Sequence, residues 1–280
     1  MTFRHSFVWL LPKGIVLPDT ADIVTFATYT QMMQKNQPTL IYGRHPVVDA
    51  ARSGAPIDKI FLQQGTRGEL EKELRHLCRE LDIPLQVAPK ERLDKFTKGN
   101  HQGVLAFLSL ITYHRIEDVL PGVYEQGEVP LLLMLDGVTD VRNFGAIARS
   151  AECCGVHAII IPQKGSAQIN ADAMKASAGA LSKIPVCREG SLVNVVNYLR
   201  SSGVRLLAAD LEAKRPVFQT DLTVPVALVM GAEDEGISHA VARMMDERFI
   251  IPQKGSTDSF NVSVAAGIAL YEVLRQRFGS

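Results

Sequence analysis

The chain is short of cysteine and of any excess charge, and each shortage excludes something. Four cysteines in 280 residues, Cys78, Cys153, Cys154 and Cys187, form no CxxC pair. A disulfide framework and a structural zinc knuckle are therefore not expected. The seven histidines fall at no metal-ligand spacing, so no metal is expected. Lys+Arg and Asp+Glu both number 30. With no net field to attract a polyanion, any nucleic-acid site must be a local patch. No apolar run approaches the ~18 residues of a membrane helix, so no membrane association is expected and a cytoplasmic location is. The stretch 6–18 is apolar, but Pro12, Lys13 and Gly14 divide it below the ~7-residue core of a signal peptide. An amphipathic organelle presequence would have only Arg4 and Lys13 as its bases. The leader 1–37 is expected to be disordered or a mis-started extension, with Met32 or Met33 as the working start.

What remains is an ordinary globular composition, 46% hydrophobic and 21% charged. Residues 38–110 alternate short strand-like and helical pieces: IYGRHPVVDAARSG, KIFLQ, ELEKELRHLCRELD, PLQVA and GVLAFLSL. Their length suits a small α/β domain. Residues 111–128 carry Pro121, Gly122 and Gly127 among charges and read as a linker. From 129 to 280, runs such as LLLMLDGV, VHAIIIP, VRLLAAD and VALVMG alternate with helical stretches, among them 172–181 and 192–201. Continuous Val/Ile/Leu runs separated by helices predict an α/β domain with a mostly parallel, six-stranded sheet covered on both faces. The hexapeptide IPQKGS occurs at 161–166 and again at 251–256, each time at a strand exit. Shared strand-exit chemistry explains this better than duplication, because the flanks differ.

Three motifs stand in the second domain. In LDGVTDVRNFGAIARSAECCG (135–155) a strand gives way to a polar loop, Asn143 is placed to cap a helix starting at Gly145, and Arg149 falls in its second turn. Spacing alone leaves Arg149 either a surface arginine or a ligand-reaching one. In MGAEDEG (230–236), Gly231 and Gly236 permit close backbone approach and positive φ, with Glu233 between them. It reads as a charged turn or as an anchor for an arginine or a ribose hydroxyl, and it is neither the GxGxxG fingerprint nor a P-loop. In IIPQKGSTDSFNVSVAAGIALYEV (250–273), Ser259 and Asn261 precede a helix rich in small residues. Their polar groups and the unpaired amides of the first turn then face one loop, and Asn261 can cap the helix, contact a ligand, or do both.

Together these motifs resemble the SpoU (TrmH-like) family of RNA ribose 2′-O-methyltransferases. The family pattern N-x-G-A-I-x-R is met by Asn143 through Arg149, and M-G-x-E-x-x-G by Met230 through Gly236. I-P-x-x-G-x-x-x-S-L-N-V-S-V-A is met by Ile251 through Ala265, with Phe260 in place of the leucine. Residues 40–109, including IYGRHPVVDA and KGNHQGVLAF, resemble the ribosomal-protein-like substrate-binding module of some members. That layout is similar to bacterial enzymes acting on a guanosine ribose of large-subunit ribosomal RNA, whereas members acting on transfer RNA usually lack the module. Transfer RNA as substrate and a non-catalytic RNA-binding relative are the alternatives. An oxidoreductase would need a glycine-rich first turn, and NFGAIAR has one glycine.

The resemblance implies a deep trefoil knot in the C-terminal domain, an exception to the rule that chains do not thread loops. It also implies a homodimer and S-adenosylmethionine as cofactor. By position, Gly231, Ile251 and Phe260 contact the cofactor, with Met230, Gly236 and Asn261 beside them, while Asn143, Arg149, Glu233, Ser259 and Asn261 form the reacting cluster. In the small module, Arg44 and His45 of GRHP and His101 and Gln102 of KGNHQG are the expected RNA contacts, as polar donors in glycine-rich turns. An arginine is a poor base because its guanidinium ordinarily keeps its proton, so Arg149 would act either as a base made competent by its site or by orienting the hydroxyl and a phosphate.

Overall fold

The computed structural model describes residues 40–278, and the expected leader lies outside them. The first sheet is built from β1 (Leu40–Tyr42), β2 (Ile57–Gln63), β3 (Leu85–Ala88) and β4 (Val104–Leu108). Its order is β1-β4-β2-β3, with β4 antiparallel to both neighbours and β2 parallel to β3. Three helices accompany it: α1 (Arg44–Arg52), α2 (Glu69–Glu80) and α3 (Lys90–Phe96). On α2, Leu70, Leu74 and Leu77 bury one stripe at helical spacing. The rings of Phe61, Phe96 and Phe107 close a small aromatic core, with centroids 5.1–5.9 Å apart.

The second sheet has seven strands, one more than expected: β5 (Tyr113–His114), β6 (Leu131–Asp136), β7 (Ala158–Pro162), β8 (Val186–Glu189), β9 (Arg205–Ala209), β10 (Val226–Gly231) and β11 (Glu247–Phe249). Its order is β11-β9-β10-β6-β7-β8-β5 and every pairing is parallel. The additional strand comes from the segment expected to be a linker. Tyr113 and His114 add to the edge at β8, and α4 (Ile116–Glu125) follows with Ile116, Leu120 and Val123 buried. A two-residue strand is too short for periodicity, and Pro121 and Gly122 masked a helix held by packing rather than by propensity.

The other helices are α5 (Val141–Cys153), α6 (Ala171–Ala176), α7 (Leu192–Ser201), α8 (His239–Ala242) and α9 (Val262–Phe278). The helix expected over 172–181 stops early, because Ala178 and Gly179 take positive φ of 50° and 84°. Alternate residues of β6 serve both faces. Leu131, Leu133 and Leu135 join the cluster containing Phe144, Ile147, Ala266 and Leu270, while Leu132 and Met134 join Ile116, Val196 and Leu199 on the other side. This two-sided burial is why the strands read as unbroken apolar runs. Gly145 on α5 lets α6 approach, since a Cβ there would lie 2.5 Å from that of Ala176.

Strand order reverses between β6 and β10. From β6 the chain runs outward through β7 and β8, while β10, β9 and β11 lie on its other side. Such a reversal opens a crevice at the carboxyl edge, where both IPQKGS copies also emerge, after β7 and β11.

Candidate active site

Three chain segments separated widely in sequence converge at that crevice. The first leaves β6 through Gly137, at φ 81°, and enters α5. The cap of α5 is Asp140, not Asn143, and the helix begins at Val141, not Gly145: Asp140 Oδ1 accepts from the amides of Arg142 and Asn143 at 2.9 and 2.7 Å. Relieved of capping, the Asn143 side chain points to the second segment, where Nδ2 donates to Glu233 Oε1 at 3.2 Å. The second segment is a tight loop after β10, closed by reciprocal Ala232–Gly236 hydrogen bonds of 3.0 Å. It is tied to the end of β6 by the Ser238 amide, which donates to Asp136 at 2.9 Å.

The third segment ends in Asn261, which does two things at once. Its Oδ1 accepts from the Ser263 amide at 2.9 Å, capping α9. Its Nδ2 donates to Glu233 Oε1 at 2.6 Å and to Asn143 Oδ1 at 3.0 Å. The Val262 amide adds a third donor to Glu233 Oε1 at 3.3 Å. One carboxylate oxygen therefore pins all three motifs, and Oε2 has no hydrogen-bond partner among the described residues.

Beside this clamp lies a cavity of about 480 Å³ lined by Met230, Gly231, Gly236, Ile251, Ser259 and Phe260, together with Glu233. Of the residues expected to contact a cofactor, Asn261 alone does not line it. Gly231 has no room for a side chain, since a Cβ there would lie 2.2 Å from Gly236 C and 2.3 Å from Ile237 N. The cavity also takes Asp210 and Leu211 from the loop after β9, and Arg248, which pairs with Asp210 at 2.9 Å. Sequence reading missed these residues. The only available signal was the strand-exit aspartate of VRLLAAD, and which exit loops become neighbours depends on strand order.

The expected reacting cluster is thus only partly assembled. Asn143, Glu233 and Asn261 are joined, and Ser259 lines the cavity with its hydroxyl making no hydrogen bond among the described residues. Arg149 stands apart in the third turn of α5 rather than the second, six residues beyond Asn143, or ~9 Å along the axis. It is exposed and has no hydrogen bond or ion pair among the described residues.

In the small module, Arg44 and His45 are exposed at the start of α1. His101 is buried: Nδ1 accepts from the Gly103 amide at 3.0 Å, and Nε2 meets Asp94 at 2.9 Å. Gln102 accepts the Arg44 amide at 3.1 Å and so fixes the entry to α1. Both residues hold the loop in shape, and both also line the cleft beside it, where Gln102 is exposed. This polar cleft, of about 590 Å³, also has Arg44, Arg67, Lys90 and Asn100 on its walls.

Comparison with known proteins adds an independent finding. Residues 130–271 match the model of the SpoU rRNA Methylase family, and residues 40–114 match that of the RNA 2'-O ribose methyltransferase substrate binding domain. The chain is 38% identical over 240 residues to the 23S rRNA (guanosine-2'-O-)-methyltransferase RlmB of Photorhabdus laumondii, covering 85% of this chain and 98% of that protein. It is 39% identical over 243 residues to the protein of the same name from Yersinia pestis, covering 85% and 97%. Among solved structures, the SpoU methyltransferase AviRb from Streptomyces viridochromogenes, in complex with the cofactor AdoMet, superposes with a TM-score of 0.56 at 25% identity, covering 89% of this chain and 97% of that one.

Proposed function

Because the chain belongs to the SpoU rRNA methylase family, we propose that it transfers a methyl group from S-adenosylmethionine to a ribose 2′-hydroxyl of RNA, with a guanosine of large-subunit ribosomal RNA as the target. The observation that carries this reading is the Asn143–Glu233–Asn261 clamp at the rim of a cavity of nucleoside size. Apolar walls from Met230, Ile251 and Phe260 suit an adenine, and the carboxylates of Asp210, Glu212 and Asp234 facing the same space suit a cationic ligand. Those residues and the backbone of Gly231 and Gly236 would hold S-adenosylmethionine, which supplies an already activated methyl when bound.

The protein's own task is then alignment of the ribose oxygen and removal of its proton. We assign alignment to Glu233 Oε2, Asn143 and Ser259, and the orienting or proton-accepting role to Arg149, whose guanidinium is exposed to an approaching RNA backbone. The small module (38–110) is assigned the selection of RNA, through Arg44, His45, His101 and Gln102, with Arg67, Lys90 and Asn100 on the same cleft. In this reading the segment after β11 threads as a trefoil knot. Incubating the protein with radiolabelled S-adenosylmethionine and 23S rRNA should label a guanosine 2′-oxygen. Label on transfer RNA alone, or on neither RNA, would overturn the assignment.

We also propose a cytoplasmic homodimer. On α9, Val264, Ile268 and Tyr271 recur at i, i+4, i+7 and are exposed, and with Phe218 and Phe260 they line an apolar groove of about 640 Å³. Exposed stripes of this kind mark association surfaces, and a second copy covers it in this reading. Sedimentation should give twice the chain mass, and a monomer at micromolar concentration would refute it.

A further inference from the structure

Between the two sheets lies a group of buried charged side chains that neither the motifs nor the cavity uses. Arg188 on β8 is buried, with Nη1 donating to the Asp58 main-chain oxygen at 2.8 Å and to its carboxylate at 3.3 Å, and Nη2 donating to Ile57 O at 3.3 Å. Its guanidinium lies 3.8 Å from the centroid of the Tyr113 ring, and the Tyr113 hydroxyl donates to the same Asp58 carboxylate at 3.0 Å. Burial and the Asp58 charge push that phenol well above its ordinary value, so it remains a donor. A second set flanks the first. Gln163 Nε2 donates to Asp82 O at 3.0 Å, and Arg115 bridges Asp82 at 2.8 Å and buried Glu189 at 3.2 Å.

As a source of stability this arrangement is a poor choice, because desolvating an ion pair offsets most of its attraction. What a planar fork, a ring stack and two main-chain acceptors add is direction: they are satisfied together at one relative placement of the two sheets. The location fits that use. Gln163, Arg188 and Glu189 lie at the carboxyl ends of β7 and β8, and in an all-parallel sheet this is the edge that carries the motif loops. β8 is two strands from β6, or ~10 Å at usual strand spacing.

We propose that Arg188 and Asp58 are positioning residues: they latch the RNA-binding module onto the carboxyl edge so that a bound RNA presents its ribose to the Glu233 clamp. The proposal rests on the function assigned above. It is tested on the full chain with Arg188→Met, which keeps length and apolar packing, and Arg188→Lys, which keeps the charge without the fork. Four quantities are read: affinity for S-adenosylmethionine, affinity for a 23S rRNA fragment, the single-turnover methylation rate, and the spread of inter-module distances from small-angle scattering.

Arg188→Met should keep both affinities within about threefold, yet lose on the order of 10²-fold in single-turnover rate, the cost of a misplacement of about 1 Å, with a broadened distance distribution. Arg188→Lys should recover part of the rate. A folded Arg188→Met with wild-type rate and distances would overturn the latch. Should that variant not fold, Asp58→Asn, which removes the charge and keeps the shape, is judged by the same readings. A wild-type chain inactive on RNA would refute the assigned function, while the scattering comparison would still decide whether Arg188 holds the modules together.

Discussion

Arg149→Ala should lower the rate of methyl transfer by ~10²–10⁴, the usual cost of losing a positioned proton-transfer or orienting group, with S-adenosylmethionine affinity unchanged. The structure makes this a clean experiment. Arg149 is exposed, contacts no partner among the described residues and does not line the cavity, so its removal leaves packing and cofactor site intact. Substitutions at such positions usually change stability by less than ~0.5 kcal/mol. Whatever rate is lost is therefore chemical. Arg149→Lys separates the two roles, because lysine keeps a charge but not the planar fork that grips a phosphate. Near-normal turnover in a folded Arg149→Ala protein would move the role to another residue.

Gly231→Ala should weaken S-adenosylmethionine binding by way of the chain's own loop. The added Cβ would lie 2.2 Å from Gly236 C, 2.3 Å from Ile237 N and 2.5 Å from Gly236 O. These are main-chain atoms, with no rotamer to relieve the overlap, so the 232–236 turn must shift and carry Glu233 with it. Overpacking of this kind costs ~1–3 kcal/mol. Since 1.4 kcal/mol is about tenfold in an equilibrium constant, calorimetry should read an affinity loss of ~10–100-fold. Wild-type affinity in a folded Gly231→Ala variant would show that the turn adapts freely and that the glycine is not needed there. This also revises the sequence-level reason for the glycine: what it admits is the returning chain, before any ligand.

Much of the second domain is legible along the chain because its signals are local. The strand expected over VALVMG spans Val226–Gly231 and the helix expected over 192–201 spans Leu192–Ser201. Each is encoded by apolar spacing within a single element. The three motif loops are likewise visible as strand exits rich in glycine and polar residues, and Asn261 declares itself as a cap by standing before the helix. What the residues alone do not state is adjacency. Asn143 and Glu233, 90 residues apart, meet because β10 pairs with β6, and Asn261, 118 residues from Asn143, joins them because α9 packs against α5, choices made by burial of the whole domain. The same ordering brings Asp210 and Arg248 to the cavity and separates Arg149 from the clamp it was expected to join. Arg188 and Asp58, 130 residues apart, carry no local mark at all, and neither does the two-residue strand at Tyr113. Propensity and periodicity act over a few residues, whereas strand order, buried ion pairs and the lining of a cavity are settled by contacts between distant segments, whose energies exist only once the sheet has closed.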